Sequence, residues 1–160
     1  MLRTLRPGRA NDRDALFQLE ERCFEGDRFS RRQLAHLLTR AHAFSLLAVS
    51  DSEQVIGYGT LLFRRNSRMA RLYSFCVDPE ARGSGLGREL LTALEAAARE
   101  RECTRLVLEV RADNRVAMGL YRRMGFMAHQ WIDDYYADGC AAWRMDKDLA
   151  APASAAESQT

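Results

Sequence analysis

The feature that most constrains the fold is a glycine-rich segment near the middle of the chain. Residues 77–88 read VDPEARGSGLGR, with three alternating glycines ahead of a leucine-rich stretch. The pattern predicts a strand, a loop whose backbone closely approaches a ligand, and a long helix. The first amides of a helix lack acceptors within it and lie at the positive end of its dipole, so they favour a phosphate or pyrophosphate.

Two common phosphate-binding motifs do not fit this segment. The dinucleotide fingerprint G-x-G-x-x-G needs a glycine where the chain has Arg88, and the P-loop needs G-K-[ST], which is absent. The pattern R-x-x-G-x-G does fit, through Arg82, Gly85 and Gly87. The alternative is a glycine-rich turn that only starts a helix.

At this segment the chain resembles the GNAT superfamily of acetyltransferases, whose members bind the coenzyme A pyrophosphate with this loop. The resemblance implies that acetyl-CoA is the co-substrate and that no metal takes part. It also implies that the coenzyme is bound by the end of the preceding strand, the loop and the first helical turn. The residues concerned are Phe75, Cys76, Val77, Arg82, Gly83, Ser84, Gly85, Leu86, Gly87 and Arg88.

A second motif supplies candidates for proton transfer. Glu109 lies between apolar residues of a predicted strand, and a carboxylate there must be paired, hydrogen-bonded or in a cleft. Tyr121, on the next predicted helix, can reach the same cleft. An amine attacks a thioester only when neutral, so a carboxylate that takes its proton and a hydroxyl that protonates the departing thiolate both serve acetyl transfer. A backbone N–H of the strand 74–77 is the expected donor to the oxyanion.

The stretch 108–126 resembles the RimI-type branch of the superfamily, which acetylates protein N-terminal amines. It reads LEVRADN, then Tyr121, then MGF. The resemblance implies that Glu109 is the base, and that Tyr121 is the acid and, with Asn114, a coenzyme contact. Three alternatives stay open: Glu109 only pairs with Arg111, Tyr121 is a core aromatic, and Asn114 is only a helix cap.

The acceptor region is predicted at two places. In GNAT proteins the first two helices and the last hairpin line the acceptor groove. The hairpin combines acids with aromatic residues, which suits a cationic amine, although a solvated hairpin with cross-strand aromatics would look the same. The candidate substrate-binding residues are Phe24, Tyr73, Asp134, Tyr135 and Tyr136.

Hydrophobic periodicity predicts one mixed α/β domain over residues 1–149 and a disordered tail over 150–160. About seven strands form a mostly antiparallel sheet, flanked by about four helices. Ser30 and Gln33 form a capping-box pattern ahead of the second helix, Gly125 ends the fourth, and Asp138-Gly139 is the predicted turn of the last hairpin.

Bulk composition excludes several functional classes. The net charge of +2, with arginines spread along the chain, gives no reason to expect nucleic-acid binding, and no apolar run suggests a membrane span. The four cysteines lie far apart in sequence, which is typical of a metal-free cytoplasmic protein with isolated thiols. A monomer or a homodimer is expected.

The leading interpretation is an acetyl-CoA-dependent N-acetyltransferase that acts on a protein or peptide N-terminus by direct attack in a ternary complex. A first alternative is the same chemistry on a small amine or a lysine side chain. A second is a non-catalytic module that binds acyl-CoA. A dinucleotide-binding oxidoreductase is opposed by Arg88.

Overall fold

The computed structural model describes residues 2–149, so the predicted tail 150–160 lies outside the described residues. The strands are β1 (Arg3–Pro7), β2 (Ala43–Ser50), β3 (Val55–Phe63), β4 (Met69–Val77), β5 (Arg105–Arg111), β6 (Met127–Ile132) and β7 (Ala142–Asp148). The helices are α1 (Arg13–Cys23), α2 (Arg31–Thr39), α3 (Leu86–Glu100) and α4 (Arg115–Arg123). Two short 3-10 turns precede α1 and α3.

The strands follow the order β1-β2-β3-β4-β5-β7-β6 in one sheet, which confirms the predicted mixed α/β class. The chain divides into two compact units. Among the described residues, the first contains those up to Leu62 together with Leu72–Leu94, and the second contains Phe63–Arg71 and residues 95–149. Among residues 2–149, no helix is both long and apolar enough to cross a bilayer.

The first unit packs its helices through leucines at helical spacing. Leu16 and Leu19 of α1, and Leu34 of α2, are buried in one apolar cluster with Leu47 of β2. The capping box at the start of α2 forms as predicted: Ser30 Oγ accepts from the Gln33 amide (3.1 Å), and Gln33 Oε1 accepts from the Ser30 amide (2.8 Å). These contacts fix α2 at the position from which it lines a pocket described below.

The second unit is built around antiparallel pairing of β5 with β7 and of β7 with β6. The register places Glu109 of β5 opposite Arg144 of β7, and Trp131 of β6 opposite Trp143 of β7. Directly opposed residues of antiparallel strands bring their side chains together, so the register decides which residue Glu109 meets.

The predicted turn of the last hairpin, Asp138-Gly139, forms within a longer loop. β6 begins at Met127 and ends at Ile132, and a nine-residue loop, 133–141, joins it to β7. Asp138 and Gly139 lie late in this loop, where the Gly139 amide donates to Tyr136 O and the Asp138 carboxylate pairs with Arg111. The local turn signal therefore identified the turn but not the ends of the two strands.

Candidate active site

The glycine-rich loop leaves several amides at the start of α3 without helical partners. The first bond of the helix runs from the Glu89 amide to Gly85 O (3.0 Å), so the amides of residues 86–88 have no acceptor within the helix. Gly83 and Gly85 have φ values of +81° and +84°, which disfavour any side chain. A Cβ at Gly83 would meet no heavy atom within 4 Å, so the backbone faces open space.

Arg3 of β1 binds this loop through hydrogen bonds and an ion pair, a contact that sequence reasoning missed. Its guanidinium donates to the carbonyl and hydroxyl oxygens of Ser84, both at 3.2 Å, and pairs with Glu89 at 2.7 Å. No local signal could have found this contact, because its partners lie more than eighty positions along the chain.

The end of β4 is buried ahead of the loop. Cys76 and Val77 are core residues, and burial raises the pKa of the Cys76 thiol well above its ordinary value. Cys23 packs on the apolar cluster that contains Cys76, and its thiol donates to Val77 O (3.4 Å). All four cysteines are free thiols.

The Glu109 carboxylate is held by two arginines. Its side chain is 7% exposed, Oε1 lies 2.5 Å from Arg71 Nη2, and Oε2 accepts from Arg144 Nε at 2.8 Å. Glu109 is therefore paired, but through these contacts rather than as the sequence suggested. Arg111, the partner expected from the sequence, forms ion pairs with Asp113 and Asp138. A carboxylate has about four lone-pair positions, so Glu109 retains acceptor capacity for an amine or a water.

Arg71 links the predicted base to a predicted substrate residue. Its Nη2 donates to the Tyr135 hydroxyl (3.1 Å) as well as pairing with Glu109. The Tyr135 ring meets Tyr136 edge-on, with centroids 4.9 Å apart. Sequence reasoning assigned Arg71 no role.

Tyr121 and Asn114 lie on α4 as predicted, and each has a structural role. Tyr121 is buried, and its ring packs against Phe126 with centroids 5.7 Å apart. Asn114 is the N-cap of α4, since its Oδ1 accepts from the Ala117 amide at 3.1 Å. Neither contact assigns or excludes a part in catalysis, so the predicted roles stay predictions.

A buried carboxyl in the first unit was not predicted. Glu20 of α1 is 1% exposed, and it accepts from the Tyr58 hydroxyl (2.8 Å) and the Phe29 amide (3.1 Å). Desolvation raises the pKa of Glu20 above its ordinary value. The signal lay in the helical spacing, because position 20 falls on the same face as Leu16 and Leu19.

The predicted acceptor residues lie in different surroundings. Phe24 packs on the core cluster of the first unit, and Tyr73 stacks on Phe29 with centroids 5.5 Å apart. In the second unit, Asp134 lines a cavity of about 560 Å³ together with Asp133 and Trp131. Of the acceptor residues predicted in the hairpin, Asp134 lines this cavity, whereas Tyr135 and Tyr136 are not among its lining residues.

Comparison with known proteins identifies the family. The model of the acetyltransferase (GNAT) family matches residues 13–126, which is most of the chain. The match covers both the glycine-rich loop and the stretch from Glu109 to Phe126.

Individual relatives act on different amines. The chain is 32% identical over 117 residues to the ribosomal protein bS18-alanine N-acetyltransferase of Escherichia coli, covering 63% of this chain and 77% of that protein. It is 28% identical over 102 residues to an aminoglycoside N(6')-acetyltransferase type 1 of Acinetobacter baumannii, covering 59% and 70%. The crystal structure of an Escherichia coli ribosomal-protein-alanine N-acetyltransferase superposes with a TM-score of 0.84 at 25% identity, covering 94% and 96%.

Proposed function

The chain belongs to the GNAT family of acetyltransferases, and we propose that it transfers an acetyl group from acetyl-CoA to the amine of a peptide or protein N-terminus. The observation that carries the proposal is the open glycine-rich loop at the start of α3, in a chain similar to the bS18-alanine enzyme. We further propose that it works in the cytoplasm, which the four free thiols favour.

The residues of the loop fit the pyrophosphate of the coenzyme. The amides of residues 86–88 have no acceptor within the helix. The positive φ values at positions 83 and 85 favour glycine, so no side chain covers the loop backbone there. Arg82 and Arg88 are exposed cations of the same segment. When bound, acetyl-CoA supplies the thioester whose acetyl group is transferred. The end of β4 and Asn114 complete the set of proposed coenzyme contacts.

Two side chains would move the protons. Glu109 accepts a proton from the attacking amine, directly or through a water, while its two arginine partners fix the position of the carboxylate. Tyr121 donates its hydroxyl proton to the thiolate as the carbon–sulfur bond breaks and the new carbon–nitrogen bond forms. A backbone N–H of residues 74–77 stabilises the negative charge on the acetyl oxygen.

An α-amine is the favoured acceptor on chemical grounds. Its ordinary pKa of about 8 leaves much more neutral amine at pH 7 than the value of about 10.4 for lysine. A small amine is the second candidate, and two observations favour it: the similarity to the aminoglycoside enzyme and the cavity lined by Asp133, Asp134 and Trp131. A carboxylate beside an aromatic face suits a compact cation.

The test is the release of free coenzyme A from acetyl-CoA in the presence of different acceptors. The panel contains peptides with varied free N-termini, N-terminally blocked lysine peptides, polyamines and an aminoglycoside. We expect release with the free N-terminal peptides above the rate without acceptor. Release with polyamine or aminoglycoside alone would favour the small-amine function, and bound but intact acetyl-CoA with every acceptor would contradict both.

A further inference from the structure

A second cavity in the first unit lies between helix α2 and strand β4, and we call it the α2–β4 pocket. Its volume is about 490 Å³. The residues that define its chemistry are Phe29, Arg32, Gln33, His36, Arg40 and Tyr73. None of the residues lining it carries a carboxylate.

The pocket is lined by two arginines that have no ion-pair partner among the described residues. Arg32, His36 and Arg40 recur every four residues, so they lie along one face of α2 and just beyond its end. Within residues 2–149, neither Arg32 nor Arg40 forms an ion pair, and both are exposed. The neighbouring Arg31 differs, because it pairs with Asp14 at 3.1 Å. Two guanidinium groups are therefore available to a ligand at the pocket.

Two aromatic rings also line the α2–β4 pocket. Tyr73 stacks on Phe29 with an interplanar angle of 25°, and Tyr73 remains 42% exposed. Tyr73 lies four residues before Val77, the last residue of β4, which corresponds to about 13 Å of strand at ~3.3 Å per residue. A peptide of a few residues could therefore reach from the pocket towards the strand end that precedes the glycine-rich loop.

We propose that the α2–β4 pocket binds acidic residues that follow the N-terminal residue of the acceptor peptide. This inference rests on the proposed function and names the class of its substrate. Guanidinium groups bind carboxylates through short, charge-assisted and often bidentate hydrogen bonds, whereas a lysine or arginine at the same place would be repelled. The stacked ring of Tyr73 supplies an apolar surface for the part of the peptide between its N-terminal residue and its acidic residues.

The experiment compares three peptides that share their first residue and differ at positions two to four. These positions are Asp or Glu in the acidic peptide, Ser or Gln in the neutral peptide, and Lys or Arg in the basic peptide. We expect kcat/KM for the acidic peptide to exceed that for the neutral peptide by roughly five- to thirtyfold at low salt, with the basic peptide slowest. High salt should reduce the preference, because the charges are exposed. In the double variant Arg32→Ala/Arg40→Ala, the ratio of kcat/KM for the acidic peptide to kcat/KM for the neutral peptide should fall to about one.

Two further variants separate this role from a general loss of charge. Arg32→Lys/Arg40→Lys should keep part of the preference, and Arg64→Ala/Arg65→Ala, which removes two exposed arginines of the β3–β4 loop, should keep all of it. Equal kcat/KM for acidic and neutral peptides, or an unchanged ratio in Arg32→Ala/Arg40→Ala, would overturn the proposal.

A binding measurement keeps this inference distinct from the proposed function. If no peptide is acetylated, the proposed function fails, and fluorescence anisotropy of a labelled acidic peptide then tests the pocket alone. Binding at low salt that is at least roughly fivefold weaker in Arg32→Ala/Arg40→Ala supports the pocket. No binding, or binding that this variant leaves unchanged, contradicts it.

Discussion

At the scale of single residues, the defining arrangement is the carboxylate of Glu109 between two arginines. Arg71 and Arg144 come from β4 and β7, the two strands that flank β5, which carries Glu109. Arg71 also donates to the Tyr135 hydroxyl. Two fixed donors prevent the carboxylate from rotating, so it can accept a proton from one direction. Orientation of this kind contributes to catalysis alongside proton transfer itself.

Replacement of Glu109 by glutamine tests the assigned base. The amide cannot take a proton, so we expect kcat/KM to fall by roughly 10²- to 10³-fold with a good peptide acceptor. Arg71 and Arg144 also lose a charged partner, which should cost about 1–3 kcal/mol of unfolding free energy. Steady-state kinetics over a range of pH and urea unfolding measure the two effects separately.

The matched control for this variant is Glu100→Gln, which changes an exposed glutamate at the end of α3. It should leave both rate and stability within error of the wild type. Undiminished turnover in Glu109→Gln across the pH range would show that Glu109 is not the base.

Tyr121→Phe separates proton donation from packing. Phenylalanine keeps the ring that packs on Phe126, and removes only the hydroxyl. We expect kcat to fall by roughly 10²-fold while the Kd for acetyl-CoA changes by less than about threefold. Kinetics and calorimetric titration provide these values. An equal loss in both would indicate that the hydroxyl binds the coenzyme instead.

The buried Glu20 predicts a pH-dependent stability. Desolvation raises its pKa in the folded protein above the ordinary value of 4.5, so the folded state holds the proton more tightly than the unfolded state. The stabilising contribution of Glu20 is therefore complete at a pH below its ordinary pKa of 4.5 and is lost as the pH rises through its pKa in the folded protein. Relative to Glu20→Gln, which cannot titrate, the wild type should become less stable over this range.

Urea unfolding between about pH 4 and pH 8 measures this difference. Glu21→Gln is the control, because Glu21 is the next residue of α1 and is exposed. A constant difference between wild type and Glu20→Gln over the whole range would contradict the assignment of Glu20 as a buried, titrating group.

At the scale of elements, the sequence predicted those features that depend on neighbouring residues. The alternating glycines, the Ser30–Gln33 capping box and the leucine spacing of α3 each act within one or two turns of chain, and each is present. The partners of Glu109 were not predictable. They depend on the register of β5 with β7 and on Arg71, which is thirty-eight positions away.

In the last hairpin, the two-residue signal Asp138-Gly139 located the turn, where the Gly139 amide donates to Tyr136 O. It did not predict the ion pair between Asp138 and Arg111 of β5. The Glu20–Tyr58 pair was also missed, since a glutamate on a helix is normally expected at the surface.

Gly85→Ala tests the loop as an element. At a φ of +84° the added side chain should cost about 1–2 kcal/mol of unfolding free energy, and relief of that strain should turn the amides at the start of α3. We expect at least a roughly tenfold rise in the Kd for acetyl-CoA, measured by calorimetry. Gly26→Ala is the control, because its Cβ would meet no atom within 4 Å. An unchanged Kd would show that the loop does not bind the coenzyme.

At the scale of the whole molecule, each compact unit carries a different part of the proposed chemistry. The first contains the glycine-rich loop and the α2–β4 pocket, and the second contains Glu109 and Tyr121. The family match extends over residues of both units. The proposed function requires that both sets of residues take part in one acetyl-transfer reaction.

The most direct test of that claim is to locate the acetyl group on a peptide that has both a free N-terminus and an internal lysine. The peptide is incubated with the full chain and acetyl-CoA, and the product is sequenced by tandem mass spectrometry. We predict one added acetyl group, on the α-amine, formed with release of one coenzyme A. Acetylation of the lysine instead, or bound acetyl-CoA with an unmodified peptide, would contradict the account.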